Sequence, residues 1–274
     1  MRLTGWCNTE KEKEIIMLDQ LEPSRLFSLQ GRVALITGAA GGIASGVSEA
    51  FAAAGAKLIL TDLSDRVHAR AQVLREAGAE VHSLTFDVND ADAARAGVEQ
   101  AAAVWGRMDI LVNNAAVIVR KPFLELDDSD WRKVIDTDLN AYFTVAQAAA
   151  RIMVQQGSGR IINMGSIMGH VSRPNLVPYV SAKGAVHSFA QAVAADLAGT
   201  GVTVNVLAPG YTITEFSQAN VKDFHDFVQD WTPCKRWGRP QDIAGAALLL
   251  ASDAGAYING QVIFIDGGFT AVTR

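Results

Sequence analysis

The chain has 274 residues, of which 49% are hydrophobic and 19% are charged, and its formal net charge is -5. This mildly acidic balance without a basic block argues against a nucleic-acid-binding surface, and the two distant cysteines, Cys7 and Cys234, exclude a disulfide framework and a cysteine-based metal site. No uncharged apolar run approaches the roughly 20 residues that cross a bilayer. We therefore expect a cytoplasmic protein without a metal, a membrane anchor or a nucleic-acid partner.

Residues 1–28 are predicted to be a polar extension before the fold. From Arg32 onward, short runs rich in Val, Ile and Leu alternate with alanine-rich segments of helical length. Runs that are apolar on both faces are typical of parallel strands covered on two sides. The predicted strands are 33–37, 57–61, 80–86, 109–113, 159–164, 202–208 and 261–266. This alternation predicts a single α/β domain over residues 29–274, a doubly wound parallel sheet of seven strands with helices on both faces.

A glycine-rich stretch, TGAAGGIASG at 37–46, follows the first predicted strand. Glycines at such a turn let the backbone approach a pyrophosphate closely, and the N-terminus of the next helix offers free N–H groups. The alternative is a tight turn that only permits close helix packing. The location in the first strand–helix unit favours a dinucleotide site.

The second predicted strand runs up to Asp62, about 20 residues beyond the glycines. A carboxylate there accepts hydrogen bonds from an adenosine ribose and repels a 2′-phosphate. The glycine-rich stretch contains no Arg or Lys that would bind such a phosphate. We therefore expect NAD as the cofactor in preference to NADP, the alternative being that Asp62 only caps the following helix.

The stretch PYVSAKGAV at 178–186 places Tyr179 one helical turn before Lys183, and Ser166 follows the fifth predicted strand. A phenol with a pKa of about 10 is a poor base at neutral pH unless a nearby cation lowers that pKa. Lys183 supplies the cation, Ser166 can orient a substrate oxygen, and Tyr179 can exchange the proton of an alcohol as a hydride leaves its carbon. The alternative for Tyr and Lys one turn apart is an ordinary surface pair.

Four motifs occur in this order over nearly the whole chain and resemble the short-chain dehydrogenase/reductase family: the glycine-rich stretch, NNAA at 113–116, Ser166, and the pair Tyr179 and Lys183. The resemblance implies a Rossmann-type fold, a homotetramer, and hydride transfer between a nicotinamide cofactor and a secondary alcohol or ketone. The cofactor contacts that it implies are Gly38, Gly42, Ile43, Asp62, Asp87, Val88, Asn113, Ala115, Tyr179, Lys183, Pro209, Gly210, Thr212 and Thr214.

Three residues depart from the family pattern. Ala44 replaces the third glycine of the loop, and Ala116 replaces the glycine of the second motif. The alanine at 116 is tolerated only if the backbone there does not need a positive φ. Asp138 stands where the family has a fourth catalytic residue, an asparagine. A carboxylate keeps a hydrogen-bond acceptor but lacks the amide donor. Asp138 is therefore a weaker candidate for a catalytic residue than Ser166, Tyr179 and Lys183.

Several segments, among them 113–126 and 232–254, are similar to sugar-acid and polyol dehydrogenases of this family, in particular to gluconate 5-dehydrogenase-like and 2-deoxy-3-ketogluconate dehydrogenase-like members. The long segment 211–239 is expected to be a substrate-binding loop. Candidate contacts for a substrate carboxylate are Arg120, Lys121 and Arg173, the alternative being solvated surface cations. His170 can hydrogen-bond a polyol, the alternative being a structural role.

Two other functions fit the same motifs. A 3-oxoacyl-carrier-protein reductase-like enzyme shares the catalytic residues, but such an enzyme usually prefers NADPH and needs a basic docking face, and the sequence indicates neither. A non-catalytic NAD-binding sensor on the same scaffold is the alternative from another class. Because both Tyr179 and Lys183 are retained, the sequence favours an enzyme.

Overall fold

The computed structural model describes residues 22–272, apart from the side chains of 216 and 218–223. Most of the predicted extension, 1–28, therefore lies outside the described residues, and the boundary after residue 28 stays a prediction. Cys7 lies there too, and Cys234 is an exposed free thiol. In residues 22–272, every helix is too short or too polar to span a membrane, and no group of three or more potential metal ligands occurs there.

Each predicted strand is present, with bounds that differ from the prediction by at most one residue. The strands are β1 (Val33–Thr37), β2 (Lys57–Asp62), β3 (Val81–Thr85), β4 (Ile110–Asn113), β5 (Gly159–Met164), β6 (Val202–Pro209) and β7 (Val262–Ile265). The α-helices are α1 (Pro23–Leu26), α2 (Ile43–Ala53), α3 (Arg66–Glu76), α4 (Ala91–Trp105), α5 (Asp128–Ile135), α6 (Ala141–Gln156), α7 (Val177–Asp196), α8 (Glu215–Trp231) and α9 (Pro240–Ala251).

The strands form one parallel sheet in the order β3-β2-β1-β4-β5-β6-β7. This confirms the predicted Rossmann-type, doubly wound sheet. The strand order reverses between β1 and β4: the connection after β1 leads to one side of the sheet, towards β2, and the connection after β4 leads to the other side, towards β5. A crevice opens at the carboxyl ends of the strands at such a point, and ligands of open α/β sheets bind there.

The sheet separates two apolar layers, because alternate residues of a strand point to opposite faces. In β1, Ala34 and Ile36 join a buried cluster that also contains Phe51 of α2, whereas Val33 and Leu35 join a second cluster on the other face. On the first face α2 packs closely on α9. A Cβ atom at Gly46 would lie 2.5 Å from the carbonyl carbon of Pro240, so a glycine is required for this approach.

Two segments shape the site. Helix α5 begins with a capping box at Asp127, and it continues into α6 through one π turn, Asp136–Asn140. The π turn is a local insertion of the kind that often marks functional positions. The segment 211–239, predicted to be a loop, consists mainly of helix α8, which is capped by Thr214 and Ser217.

Candidate active site

A cavity of about 500 Å³ lies at the carboxyl edge of the sheet. Its walls are the segments that follow β1, β4, β5 and β6, together with the first turns of α7 and α8. The predicted residues that line it are Gly38, Gly42, Ile43, Asp62, Ala115, Ser166, Tyr179, Lys183, Pro209, Gly210, Thr212 and Thr214. The fold therefore brings both ends of the predicted site into one cavity.

The glycine-rich end has the shape that a dinucleotide phosphate requires. Gly42 precedes α2 with a φ of 61°, no side chain caps the first N–H groups of that helix, and a Cβ atom at Gly42 would meet only open space. A Cβ atom at Gly38 would lie 2.7 Å from the Cα atom of Ala115, which excludes a larger residue. Uncapped N–H groups beside a backbone without side chains fit a pyrophosphate.

The two small-residue departures fit the backbone. Ala44 is buried in the apolar layer on α2, with 1% of its surface exposed. The close-packing glycine of this helix is instead Gly46. Among the described residues other than glycine, only Asn175 and Lys235 have a positive φ, so Ala116 meets the condition set for it.

The adenosine end of the cavity holds both a carboxylate and a guanidinium. The two oxygens of Asp62 accept hydrogen bonds from the N–H groups of Ala40, at 3.0 Å, and Ser64, at 2.9 Å. Arg66, in the first turn of α3, lines the same cavity and pairs with Glu215 of α8 at 3.1 Å. Arg66 was not predicted, because it follows the second strand and lies outside the glycine-rich stretch, where a phosphate-binding cation was expected.

Ser166, Tyr179 and Lys183 converge at the other end of the cavity. Ser166 ends the extended segment after β5, and its Oγ accepts a hydrogen bond from Met168 N–H at 3.1 Å. Helix α7 begins at Val177 with Pro178 in its first turn, and Tyr179 and Lys183, four residues apart, share a face of it. The Lys183 Nζ lies 5.6 Å from the centre of the Tyr179 ring.

Burial raises the pKa of Tyr179 above its ordinary value of 10.0. The cation of Lys183, a hydrogen bond with Ser166 and the charge of Arg120 act in the opposite direction, and Asp138 adds to the rise. Lys183 therefore acts on this phenol as expected, but in the protein alone burial outweighs it and the pKa of Tyr179 stays above its ordinary value. The reason is that the surroundings which bring the two side chains together also remove them from water.

Asp138 lies behind Lys183 and does not line the cavity. Its side chain is 0% exposed, its Oδ1 accepts a hydrogen bond from Val117 N–H at 2.8 Å, and its Oδ2 lies 3.2 Å from the Nζ of Lys183. Burial raises the pKa of Asp138, while Lys183 and Val117 N–H lower it. An ion pair between Asp138 and Lys183 therefore lies directly beneath the cavity.

Two of the candidate substrate contacts face the cavity and two do not. Arg120 and Arg173 both line it, and Arg173 stacks on the Phe224 ring at 3.8 Å from its centre. Lys121 instead pairs with Asp130 at 2.7 Å. The exposed His170 lies outside the cavity, with its ring 5.3 Å from that of Phe264.

The predicted contacts Asp87, Val88 and Asn113 also lie outside the cavity lining. Val88 packs against the second apolar layer. Asn113 is 1% exposed, and its amide donates to the side chain of Asn163 and to the carbonyl of Tyr142. Its neighbour Asn114 lines the cavity and donates to the carbonyls of Thr37 and Gly38. Successive side chains at the end of a strand point in opposite directions, so only one of Asn113 and Asn114 can face the cavity. The sequence alone does not distinguish between two adjacent asparagines.

Comparisons with known proteins bear on this site. The family model described as Enoyl-(Acyl carrier protein) reductase matches residues 38–270. A gluconate 5-dehydrogenase of Gluconobacter oxydans (strain 621H) is 40% identical over 248 residues, which are 89% of this chain and 97% of that protein. A galactitol 2-dehydrogenase (L-tagatose-forming) of Cereibacter sphaeroides is 41% identical over 251 residues, with the same two coverages of 89% and 97%.

Among solved structures, a gluconate 5-dehydrogenase from Burkholderia cenocepacia J2315 in complex with NADP and tartrate is similar over 92% of this chain and 100% of that one. The TM-score is 0.89 and the sequence identity is 38%. Other similar structures also contain NADP.

The predicted preference for NAD over NADP is wrong, because these similar structures are complexes with NADP. The prediction treated Asp62 as a free carboxylate next to a site without cations. In the fold, both Asp62 oxygens already bind backbone N–H groups, and the guanidinium of Arg66 lines the same cavity. A backbone-bound carboxylate beside a guanidinium does not by itself exclude a 2′-phosphate.

Proposed function

The chain belongs to the short-chain dehydrogenase/reductase family, oxidoreductases that transfer a hydride between a nicotinamide cofactor and a secondary alcohol or ketone, and we propose that its substrate is a sugar acid. The observation that carries this proposal is the pair of guanidinium groups, Arg120 and Arg173, in the wall of the catalytic cavity. Among the described side chains, neither arginine forms a salt bridge with a carboxylate, and the two guanidinium groups are close enough to repel each other. An anionic substrate relieves this repulsion.

We assign the proton transfer to Tyr179. The bound nicotinamide cofactor supplies the hydride acceptor in oxidation and the hydride donor in reduction. Tyr179 accepts the proton of the substrate hydroxyl in oxidation and returns it in reduction, while the Ser166 hydroxyl holds the substrate oxygen. Lys183 stabilises the ionised form of Tyr179, since its charge lowers the pKa of that phenol.

Similar proteins support a carbohydrate substrate, but they include both acids and neutral polyols. The gluconate 5-dehydrogenase acts on an acid and the galactitol 2-dehydrogenase on a neutral polyol, as their names state. Arg120 and Arg173, which have no carboxylate partner among the described side chains, favour the acid. A 3-oxoacyl-carrier-protein reductase-like activity remains an outcome of the test, because its substrate needs the same Ser, Tyr and Lys.

We further propose NADP(H) as the cofactor. The glycine-rich end offers uncapped N–H groups of α2 to the pyrophosphate, and Arg66 is the cation within reach of the adenosine end. Glu215 now binds that guanidinium, at 3.1 Å. A 2′-phosphate, with more charge than a carboxylate and three acceptor oxygens, competes well for it.

A substrate screen tests the proposal. The full-length protein is assayed with NADP(H) and NAD(H) against aldonic acids and their keto forms, neutral hexitols, cyclic ketones and a 3-oxoacyl thioester, with absorbance at 340 nm as the readout. We expect turnover of the acids or their keto forms with NADP(H), and none in Tyr179→Phe. Turnover confined to neutral polyols or to the thioester contradicts the proposed substrate. The homotetramer and the cytoplasmic location stay predictions.

A further inference from the structure

The ion pair beneath the catalytic cavity is unusual in its burial. The Lys183 side chain is 1% exposed and that of Asp138 is 0% exposed. Charges removed from water to this degree are costly unless they are paired and hydrogen-bonded. The pair must therefore have a set of partners that compensates for the lost hydration.

Three acceptors surround the ammonium group. The Nζ of Lys183 lies 3.0 Å from the carbonyl oxygen of Met164, 3.3 Å from the hydroxyl of Tyr142 and 3.2 Å from the Oδ2 of Asp138. Two N–H donors of the ammonium are hydrogen-bonded to Met164 and Tyr142, and the carboxylate of Asp138 balances the charge as an ion-pair partner. Although burial by itself lowers the pKa of Lys183, Tyr142, Asp138 and Tyr179 raise it, so Lys183 stays charged.

The surroundings of Asp138 require a carboxylate rather than an amide. Its Oδ1 faces the N–H group of Val117 and its Oδ2 faces the ammonium of Lys183, and both of these neighbours are donors. A carboxylate accepts at both oxygens, whereas an asparagine has one acceptor oxygen and one NH2 donor. In either orientation, an asparagine would direct a donor at another donor.

The negative charge of Asp138 also acts on Tyr179. The other titratable or charged groups that face the Tyr179–Lys183 pair are Arg120 from the segment after β4, Tyr142 from α6 and His187 from α7. Burial raises the pKa of Tyr142 to about 12, and burial lowers the pKa of His187, so both are neutral at pH 8. Because both oxygens of Asp138 face donors, Val117 N–H and the Lys183 ammonium, Asp138 is the anion that offsets the cations Lys183 and Arg120.

We propose that Asp138 is the buried counter-ion of Lys183, a positioning residue that holds the ammonium and sets the pH range in which the Tyr179 hydroxyl loses its proton. Asp138 does this without touching the substrate, because it lies behind Lys183. The inference rests on the proposed role of Tyr179 and deepens it, since it names the charge that opposes the activation of this phenol by Lys183. The chain would then need a higher pH for alcohol oxidation than a site with a neutral residue at this position.

A spectroscopic titration tests the proposal without a substrate. Tyrosinate absorbance at 295 nm is recorded by stopped flow after pH jumps, which reads ionisation before the protein can unfold. The titration curve of Tyr179 is obtained as the absorbance of the wild type minus that of Tyr179→Phe. In the Asp138→Asn background it is the absorbance of Asp138→Asn minus that of Asp138→Asn/Tyr179→Phe. Loss of the opposing charge should lower the Tyr179 midpoint by about one pH unit. Tyr142→Phe is the matched control, because it removes a neutral acceptor of Lys183 and should shift the midpoint far less.

An unchanged or higher Tyr179 midpoint in Asp138→Asn overturns the proposal, and so does an equal shift in Tyr142→Phe. If Asp138→Asn does not fold, a thermal unfolding comparison decides. Lys183→Met leaves an unpaired carboxylate in the core, so Asp138→Asn/Lys183→Met should melt at a higher temperature than Lys183→Met alone. An equal or lower melting temperature of the double variant refutes the counter-ion. Failure of the substrate screen would count against the proposed function alone.

Discussion

Removal of the Arg173 guanidinium separates an anionic substrate from a neutral one. Arg173 lines the cavity near Arg120, and Arg120 and Tyr179 also interact. Arg173→Gln removes the charge but keeps a polar side chain beside Tyr211, whose pKa Arg173 lowers. The substitution therefore acts on substrate charge with little change in the shape of the wall.

The expected magnitude follows from the bond that is lost. A hydrogen bond between a charged donor and a charged acceptor contributes about 1.5–3 kcal/mol. With one factor of ten for each 1.4 kcal/mol, kcat/KM for a sugar acid should fall about 10- to 150-fold. A neutral polyol has no carboxylate to lose, so its kcat/KM should change by about twofold or less. The loss in Arg120→Gln/Arg173→Gln should be smaller than the product of the two single losses, because both arginines share one carboxylate.

The assay measures initial rates with one sugar acid and one hexitol in the same buffer, and Arg95→Gln serves as the control. Arg95 lies in α4, pairs with the exposed Asp92 of the same helix and does not line the cavity. Equal losses for the acid and the polyol would show that Arg173 only supports the wall through Phe224 and Tyr211. No loss for either substrate would refute a carboxylate site at Arg173.

Four further outcomes are expected. Tyr179→Phe should abolish turnover, whereas Asp138→Asn should keep it within an order of magnitude at pH 7; comparable losses in steady-state assays would place the carboxylate in the chemistry. Because burial raises the pKa of Tyr179, oxidation should accelerate from pH 7 to above pH 9 while reduction slows, and a flat pH profile of kcat/KM contradicts Tyr179 as the base. Arg66→Gln should weaken NADPH binding about tenfold and leave NADH binding unchanged in fluorescence titrations, and equal effects on the two would remove Arg66 from the 2′-phosphate site. Gly46→Ala should lower stability by about 1–3 kcal/mol in thermal unfolding, because its Cβ atom would lie 2.5 Å from the Pro240 backbone, whereas Gly245→Ala on the exposed side of α9 should not destabilise.

Local patterns in the sequence were sufficient for the frame of the site. The seven strands follow from runs that are apolar on both faces, and the glycine-rich turn follows from the need for a bare backbone at Gly38 and Gly42. The spacing of Tyr179 and Lys183 places both on one face of α7 without any tertiary information. These features depend on residues that are near one another in the chain, and a periodic pattern encodes them directly.

The tertiary structure determined which charged side chains interact with one another. The Asp138–Lys183 pair and the Arg66–Glu215 pair join elements that are far apart in the chain. Their formation depends on how α7 packs on the π turn and on the approach of the first turn of α8 to the first turn of α3. Packing also decided that Asn114 rather than Asn113 lines the cavity, that His170 lies outside it, and that burial outweighs Lys183 in the net pKa shift of Tyr179. Such results depend on distance and dielectric environment, which spacing along the chain does not specify.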